Sequence, residues 1–400
     1  MLTAESWHIS ESSRNKETRM NKAIEKNKAW IDETWNRVDA KLSRVAVKSR
    51  EKIPYTTVNG EHDNKLETDP AWWTNGFWGG MMWLMYKGTG NEEYKKTAEH
   101  AEELMDKAFE DVTGLHHDVG FMWHLMSGAN YRLTGNKKSY NRELIAAALL
   151  ASRYNPDGRF IRAWNADNAV GWSIIDCMMN IPLLYRAAEE IGAPRYKKIA
   201  MNHADMAVRD HVRADGSVNH IVEHDVDTGA VVRTLGGQGY GEGSCWSRGL
   251  AWAVYGMVLS YVHTKKQDYL DAAKRCANFF IASCARTGYK AEADFMSPTE
   301  PVYYDSTAGV CAACGILEIA KCVSESESEM YTEAAINILK ATDENFCDYS
   351  DREDALVLMG SERYPHGEDD MKCVHIPIIY ADFFYVEALL KLKGDDFLIW

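Results

Sequence analysis

Asp176 lies in the stretch GWSIIDCMMNIPLLY, residues 171–185, where nearly every neighbour is apolar. A carboxylate buried there without a partner is costly, and desolvation drives its pKa upward, as suits a group that releases a proton near neutral pH. Read as a helix, the stretch puts Ser173, Asp176 and Asn180 on one narrow polar stripe. A second carboxylate, Asp118, stands in HHDVGFMWHL at the head of another apolar run. Two carboxylates brought together are what general acid/base chemistry on a sugar needs: one stays charged and raises the pKa of the other. Either aspartate alone would be equally at home holding a loop or pairing with an arginine.

Other polar groups gather at the starts of apolar runs: Trp73, Thr74 and Asn75; His116, His117 and Asp118; Ser247 and Arg248; Asp305, Ser306 and Thr307. Ser, Thr and Asp at such places also serve as helix N-caps, which accounts for Asp305, Ser306 and Thr307. Arg248, Trp252 and Tyr255 fall on one face of an apolar helix, which points to a ligand contact or to a buried ion pair. His116 and His117 are adjacent and cannot share a helix face, so only one is expected to face a pocket. Cys311 and Cys314 form a C-x-x-C, but inside GVCAACGILEIAK they read as small core residues with no second pair at metal spacing. No metal or cofactor is expected.

These residues need elements to position them, and the chain supplies a repeat. Segments apolar on nearly all sides, such as AWWTNGFWGGMMWLMY and SCWSRGLAWAVYGMVLSY, alternate with charged amphipathic helices such as EEYKKTAEHAEELMDKAFE. Short loops rich in Gly, Asn and Lys join them, and a tyrosine opens each amphipathic helix: Tyr94, Tyr140, Tyr196, Tyr269 and Tyr331. The unit of roughly 45 to 75 residues is a helical hairpin. Six apolar helices cover one another only as an inner ring with six amphipathic helices outside. The fold class is therefore all-α, an (α/α)6 barrel, one catalytic domain over 1–400 with about 1–15 as a loose lead-in. If the inner helices run parallel, their N-terminal ends and polar residues open at one end of the barrel, where dipoles and free N–H groups suit an anion. The longest region outside the helices, 213–244, carries alternation expected of a short hairpin.

Composition narrows the partners. A net charge of −14 argues against nucleic acid or an anionic membrane surface, both of which demand clustered Lys and Arg. No apolar run reaches membrane-spanning length and the first residues lack a secretory core, so a cytoplasmic protein is expected. Nine cysteines, an odd number mostly in apolar runs, read as reduced thiols. Thirteen Trp and twenty Tyr exceed what a core of this size needs, and the surplus suits stacking on sugar rings.

The motifs TDPAWWTNGFWGGMMWL, HHDVGFMW, IIDCMMNIPLL, QGYGEGSCWSRGLAWAVYG and YDSTAGVCAACGILEIA, in this order, resemble the unsaturated glucuronyl hydrolases of glycoside hydrolase family 88. The resemblance runs from about Asp69 onward and implies the same barrel. It implies removal of a 4,5-unsaturated uronic acid from the non-reducing end of lyase-generated glycosaminoglycan disaccharides of chondroitin or hyaluronan type, by hydration of the vinyl ether. It assigns Asp176 as general acid/base and Asp118 as the carboxylate that tunes it. Matching substrate-contacting positions are Trp73, His117, Trp164 in RAWN, His220 in SVNHIVEHD, Gln238, Arg248, Trp252 and Tyr364 in ERYPH. Where the family commonly has His before that Gln and Gln after the RG, this chain has Gly237 and Leu250; Glu242 stands where Asp is frequent. The implied partner is an oligosaccharide bearing the unsaturated uronic acid, bound by a monomer or homodimer. Rivals are an unsaturated rhamnogalacturonyl hydrolase on the same barrel, a sugar epimerase working through His pairs, and a non-catalytic sugar-binding toroid.

Overall fold

The computed structural model describes residues 21–400; the lead-in expected over about 1–15 lies outside the described residues. The amphipathic helix α1 (Lys22–Lys48) comes first. A small hairpin, β1 (Thr57–Val58) with β2 (Glu61–His62), and a single turn, α2 (Lys65–Thr68), lead to the first apolar helix, α3 (Asn75–Thr89). Its partner is α4 (Glu92–Leu104). The second apolar helix begins as a wide π-helical segment, Gly120–Gly128, runs on as α5 (Ala129–Thr134) and returns through α6 (Lys137–Ser152). A two-stranded ribbon follows, β3 (Tyr154–Asn155) with β4 (Phe160–Ile161). Then come β5 (Trp172–Ile174), a 3-10 turn at Ile175–Met179 and the pair α7 (Pro182–Ile191) and α8 (Pro194–Met206). The hairpin β6 (Ile221–His224) and β7 (Val231–Leu235) precedes the pairs α9 (Ser247–Thr264) with α10 (Gln267–Ala285) and α11 (Ser306–Cys322) with α12 (Glu325–Phe346), and α13 (Ile379–Leu392) ends the series.

The apolar helices form the inner ring. In order round it α3 touches the π segment, then come α7, α9, α11 and α13, and α13 returns to α3. Outside, α1 bridges α12 and α4, so N-terminal and C-terminal parts of the chain close the outer layer. The chain is an (α/α)6 barrel, and no described helix is long and apolar enough to cross a membrane. Hairpin loops follow their sequence signals: Gly90 and Gly135 take the left-handed conformation that ends a helix, and Asn91 and Asn136 cap the next. Three of the recurrent tyrosines fasten neighbouring outer helices. Tyr94 Oη donates to Asp39 Oδ1 at 2.7 Å, Tyr269 Oη to Asp205 Oδ1 at 2.6 Å, and Tyr331 Oη to Asn278 Oδ1 at 3.1 Å. Within the ring Trp400 stacks on Phe384 with centroids 6.0 Å apart.

One expectation needs correction. Residues 171–185 are not a continuous helix: Ser173 lies on β5, opposite Val222 of β6, Asp176 sits in the 3-10 turn, and the helix begins only at Pro182. The β-branched Ile174 and Ile175 favour extended backbone, and proline, which lacks an N–H, is accommodated in a first helical turn but not in the middle of a helix. The hairpin expected in 213–244 is present as β6 and β7, extended by β5 into a three-stranded sheet.

Candidate active site

The segments leading into α3, the π segment, α7 and α9 border a cavity of about 640 Å3. Trp72 and Trp73 reach it from the turn before α3, His116, His117 and Asp118 from the turn before the π segment, and Ile174 and Asp176 from β5 and the turn after it. Trp164, Gln238 and Trp246 also line it, as do Asp69, Lys107, Glu110 and Asp111.

Asp118 is enclosed. Its Oδ1 accepts from Asn180 Nδ2 at 2.9 Å and lies 3.2 Å from His117 Nε2, while Oδ2 is 3.4 Å from His116 Nδ1. His117 Nδ1 sits 2.9 Å from the Ala163 carbonyl oxygen, which can only accept, so Nδ1 carries the proton. A neutral His117 therefore turns the lone pair of Nε2 toward Asp118, a contact that is favourable when the carboxyl holds a proton. Burial, and then the charge of Asp176, push Asp118 well above the usual carboxylate range, against the opposing pull of Asn180. Burial holds His117 well below its ordinary value and lowers His116 to about 4. Arg153 lies behind this group, donating to the carbonyls of Arg162 and Ala163 and to Asn165 Oδ1; burial lowers it to about 10. Asn165 in turn holds the loop before the histidines through the carbonyls of Thr113 and Leu115.

Asp176 is the more exposed carboxyl, its side chain 13% accessible against 8% for Asp118. Its Oδ1 lies 3.4 Å from His220 Nε2. His220 Nδ1 accepts from the Gln238 amide at 3.0 Å and has the Gly236 carbonyl at 3.3 Å. One nitrogen cannot serve both, and the shorter contact from a fixed N–H donor makes Nδ1 the acceptor, so the ring proton is on Nε2 and points at Asp176. The separation is long for a hydrogen bond, as is common at catalytic pairs before substrate binds. Gly237 makes this packing possible: it has φ +57°, and a Cβ there would lie 2.1 Å from His220 Nδ1. A side chain at that position, usual in the family the sequence resembles, would have to displace His220.

Of the residues expected at the site, Trp73, His117, Asp118, Trp164, Asp176 and Gln238 line the cavity. His220 stands one layer back, behind Trp246 at a ring separation of 4.3 Å. Three are placed differently. Arg248 is 1% exposed and its guanidinium is occupied by the Asp305 carboxylate, Thr307 Oγ1 at 3.2 Å and the carbonyls of Ser361 and Glu362. It forms a buried ion pair and does not line the cavity. Trp252 is wholly buried between Phe121, Tyr380 and Phe384 and offers no exposed stacking face. Tyr364 is 6% exposed, packed between Tyr240 and Tyr303, and its N–H donates to the Gln238 carbonyl at 2.8 Å. Both His116 and His117 line the cavity, against the expectation of one, because they sit in a turn where helical spacing does not apply.

Residues not singled out from the sequence include Trp246, Trp72 and Arg153, while the sequence puts Asn180 on the polar stripe of Asp176 without a role. Trp246 was within reach, since it stands in the same WSRG motif as Arg248. Arg153 had no signal beyond its place at the end of an amphipathic helix. One ligand atom each from His116, His117 and Asp118 lies within 4.8 Å of the others, a spacing that would admit a cation.

Residues 45–261 match Glycosyl Hydrolase Family 88. The chain is 36% identical over 335 residues to an unsaturated glucuronyl hydrolase of Bacillus sp. (strain GL1), covering 80% of this chain and 86% of that one. It is 31% identical over 338 residues to an unsaturated chondroitin disaccharide hydrolase of Streptococcus pneumoniae (strain ATCC BAA-255 / R6), covering 83% and 84% respectively. Its fold is similar to the crystal structure of an unsaturated glucuronyl hydrolase from Bacillus sp. GL1 described as responsible for the degradation of glycosaminoglycan. The TM-score there is 0.81 at 31% sequence identity, over 90% of this chain and 97% of that one.

Proposed function

The chain belongs to Glycosyl Hydrolase Family 88 and is a glycosidase, and we propose that it removes 4,5-unsaturated uronic acid from the non-reducing end of chondroitin- or hyaluronan-type disaccharides. The observation that carries this reading is the convergence of Asp118 and Asp176 on one cavity beside Trp73, Trp164 and Trp246. Burial and the neighbouring charge of Asp176 raise Asp118 well above the usual carboxylate range, so the site can carry a proton near neutral pH. Asp176, the member with more access to the cavity, gives that proton to C4 of the C4=C5 bond. Water adds at C5 and its displaced proton returns to the pair. The resulting hemiketal opens the ring to a ketone at C5, and the hemiacetal left at C1 expels the next sugar. No glycosyl-enzyme bond forms, so the carboxyl separation that predicts retention or inversion has no bearing.

Trp73 and Trp164 supply apolar faces to the sugar, His117 and Gln238 polar contacts, and His220 turns its Nε2 toward Asp176 at 3.4 Å. In this reading Arg248, Trp252 and Tyr364 support the site without touching substrate. The chain acts as one catalytic domain. We place it in the cytoplasm, where its nine unpaired cysteines would stay reduced.

The test follows the ultraviolet absorbance of the conjugated C=C–carboxylate with unsaturated disaccharides and their saturated counterparts. Loss of absorbance with unsaturated chondroitin or hyaluronan fragments is expected. No change with chondroitin, hyaluronan, heparin or pectin fragments would sink the proposal, and turnover of pectin fragments alone would move it to rhamnogalacturonides. Asp176→Asn should lower kcat by roughly 100- to 10,000-fold, the range for a lost general acid, with binding retained.

A further inference from the structure

Asn180 is fully buried and touches both segments that carry the carboxyls. It follows the 3-10 turn of Asp176 by one residue, and its backbone N–H closes that turn on the Cys177 carbonyl at 2.9 Å. Its side-chain oxygen accepts from the Phe121 N–H at 2.8 Å, in the first turn of the π segment. An N–H can only donate, so the Asn180 oxygen must face Phe121 and the NH2 group must face the other way. There Nδ2 donates to Asp118 Oδ1 at 2.9 Å and approaches the Asp176 carbonyl at 3.4 Å. The amide orientation is therefore set by the backbone, and Asn180 can act on Asp118 only as a donor.

The approach is close enough to need glycine opposite. A Cβ on Gly120 would lie 2.6 Å from Asn180 Oδ1, 2.7 Å from its Cα and 2.8 Å from its carbonyl oxygen. These contacts are mostly with backbone, which cannot swing aside. Gly120 and Asn180 thus form a tight joint between the second and third inner helices, in contact with the Asp118 carboxyl.

We infer that Asn180 is a positioning residue of the carboxylate pair: its amide orients Asp118, ties the Asp176 turn to the head of the π segment, and directs the proton toward Asp176. This rests on the reaction proposed above. A hydrogen bond donated to a carboxylate favours its charged form. The other groups facing Asp118 are His116 and His117 from its own turn, Asp176 and Cys177 from the 3-10 turn, and Arg153 from the end of α6. Burial and Asp176 favour a proton on Asp118, whereas Asn180 and Arg153 favour its carboxylate. The amide donor opposes a proton on Asp118 and so favours its passage to the carboxyl with better access to the sugar.

Three variants test this. Asn180→Ala removes the donor and should lower kcat by roughly 10- to 100-fold, the effect of losing a hydrogen bond to a charged group, with KM within about twofold. Its kcat/KM profile should have its acid limb moved to higher pH. Asn180→Asp keeps the size and an acceptor for Phe121 but sets an oxygen against Asp118, and should be at least as impaired with a larger alkaline shift. Gly120→Ala should mimic Asn180→Ala with the amide intact. A merely structural role would lower Tm and kcat and leave the profile in place, and that result would overturn the inference. So would wild-type kcat in Asn180→Asp. A readout free of substrate separates this from the proposed reaction: carbon NMR of labelled aspartate, with the Asp118 signal assigned by its absence from Asp118→Asn. An unchanged Asp118 titration in Asn180→Ala overturns the inference even if the wild type is active, and an upward shift supports it even if the wild type turns over no unsaturated sugar.

Discussion

Replacing Arg248 by methionine should destabilise the protein before it affects recognition of substrate. Asp305 is 0% exposed and Arg248 1%, so the pair is cut off from water. The same guanidinium donates to Thr307 Oγ1 at 3.2 Å and to the carbonyls of Ser361 and Glu362, so truncation leaves a carboxylate and two carbonyls without their donors. Asp305 keeps its helix-capping bonds to Thr307 and its contact from the Ser361 N–H, which limits the damage. Breaking one side of a buried pair costs about 3–5 kcal/mol. Arg248→Met should therefore lower Tm by several degrees, and Arg248→Met with Asp305→Leu should be less destabilised than the sum of the single variants, because the stranded charge is gone. Thermal unfolding gives the stability, and initial rates at temperatures below the transition give kcat and KM. Undiminished Tm together with a tenfold rise in KM would refute the reasoning and return Arg248 to direct contact with the substrate.

Trp164→Ala removes one apolar face of the cavity, and with an aromatic contact worth about 0.5–1.5 kcal/mol, KM should rise by roughly two- to tenfold; unchanged KM across disaccharides would remove Trp164 from the sugar site. Stability should fall on acidification through the window set by buried histidines: burial lowers His62, His124 and His211 to about 4 and His203 to about 3. In the unfolded chain these rings take up protons near the ordinary value of 6.5, whereas in the fold they stay neutral, so the unfolded state binds more protons and each contributes a loss of about 1.4 kcal/mol per pH unit between the two values. Burial lowers His116 and His117 in the same sense, so these rings outnumber Asp382, raised to about 7 by burial, and Asp118, raised likewise, which work in the opposite sense. Tm should thus drop between about pH 6.5 and 4, and a Tm that is flat or rises on acidification through that window would contradict the neutral burial of these rings.

The ring itself was legible because each hairpin repeats its signals locally. TGN at 89–91 and 134–136 gives the left-handed stop and the asparagine cap within a few residues, and apolar and amphipathic runs sort into inner and outer layers. That the polar residues gather at one mouth followed from parallel inner helices. Contacts made across sequence were not legible. Ser173 reads as part of a helical stripe until Val222 of β6 is seen beside it. Arg248 reads equally as a ligand contact or a buried ion pair until its partners appear 57, 113 and 114 residues further along. Asn180 resembled one more polar residue on an apolar segment, because its meaning depends on the Phe121 N–H and Asp118, both about 60 residues earlier.

A regular helix through 171–185 would have carried Asp176 on its side, one residue among a stripe. The chain instead breaks there: an edge of sheet delivers Ile174 to the cavity wall, a 3-10 turn presents Asp176 at the head of α7, and the π-helical start at Gly120 opens the backbone just where Asn180 enters. Such irregular backbone stands only when surrounding bonds hold it, and wide π turns recur at functional sites for that reason. Here those bonds are the ones that set the chemistry. The Ala163 carbonyl fixes the His117 tautomer, the Gln238 amide fixes that of His220, and Asn180 fixes the Asp118 carboxyl. A substitution at any of them alters shape and proton placement together, so a fall in activity alone cannot separate the two. The movement of the pH profile can, because lost packing leaves the acid limb where it was and a lost donor does not.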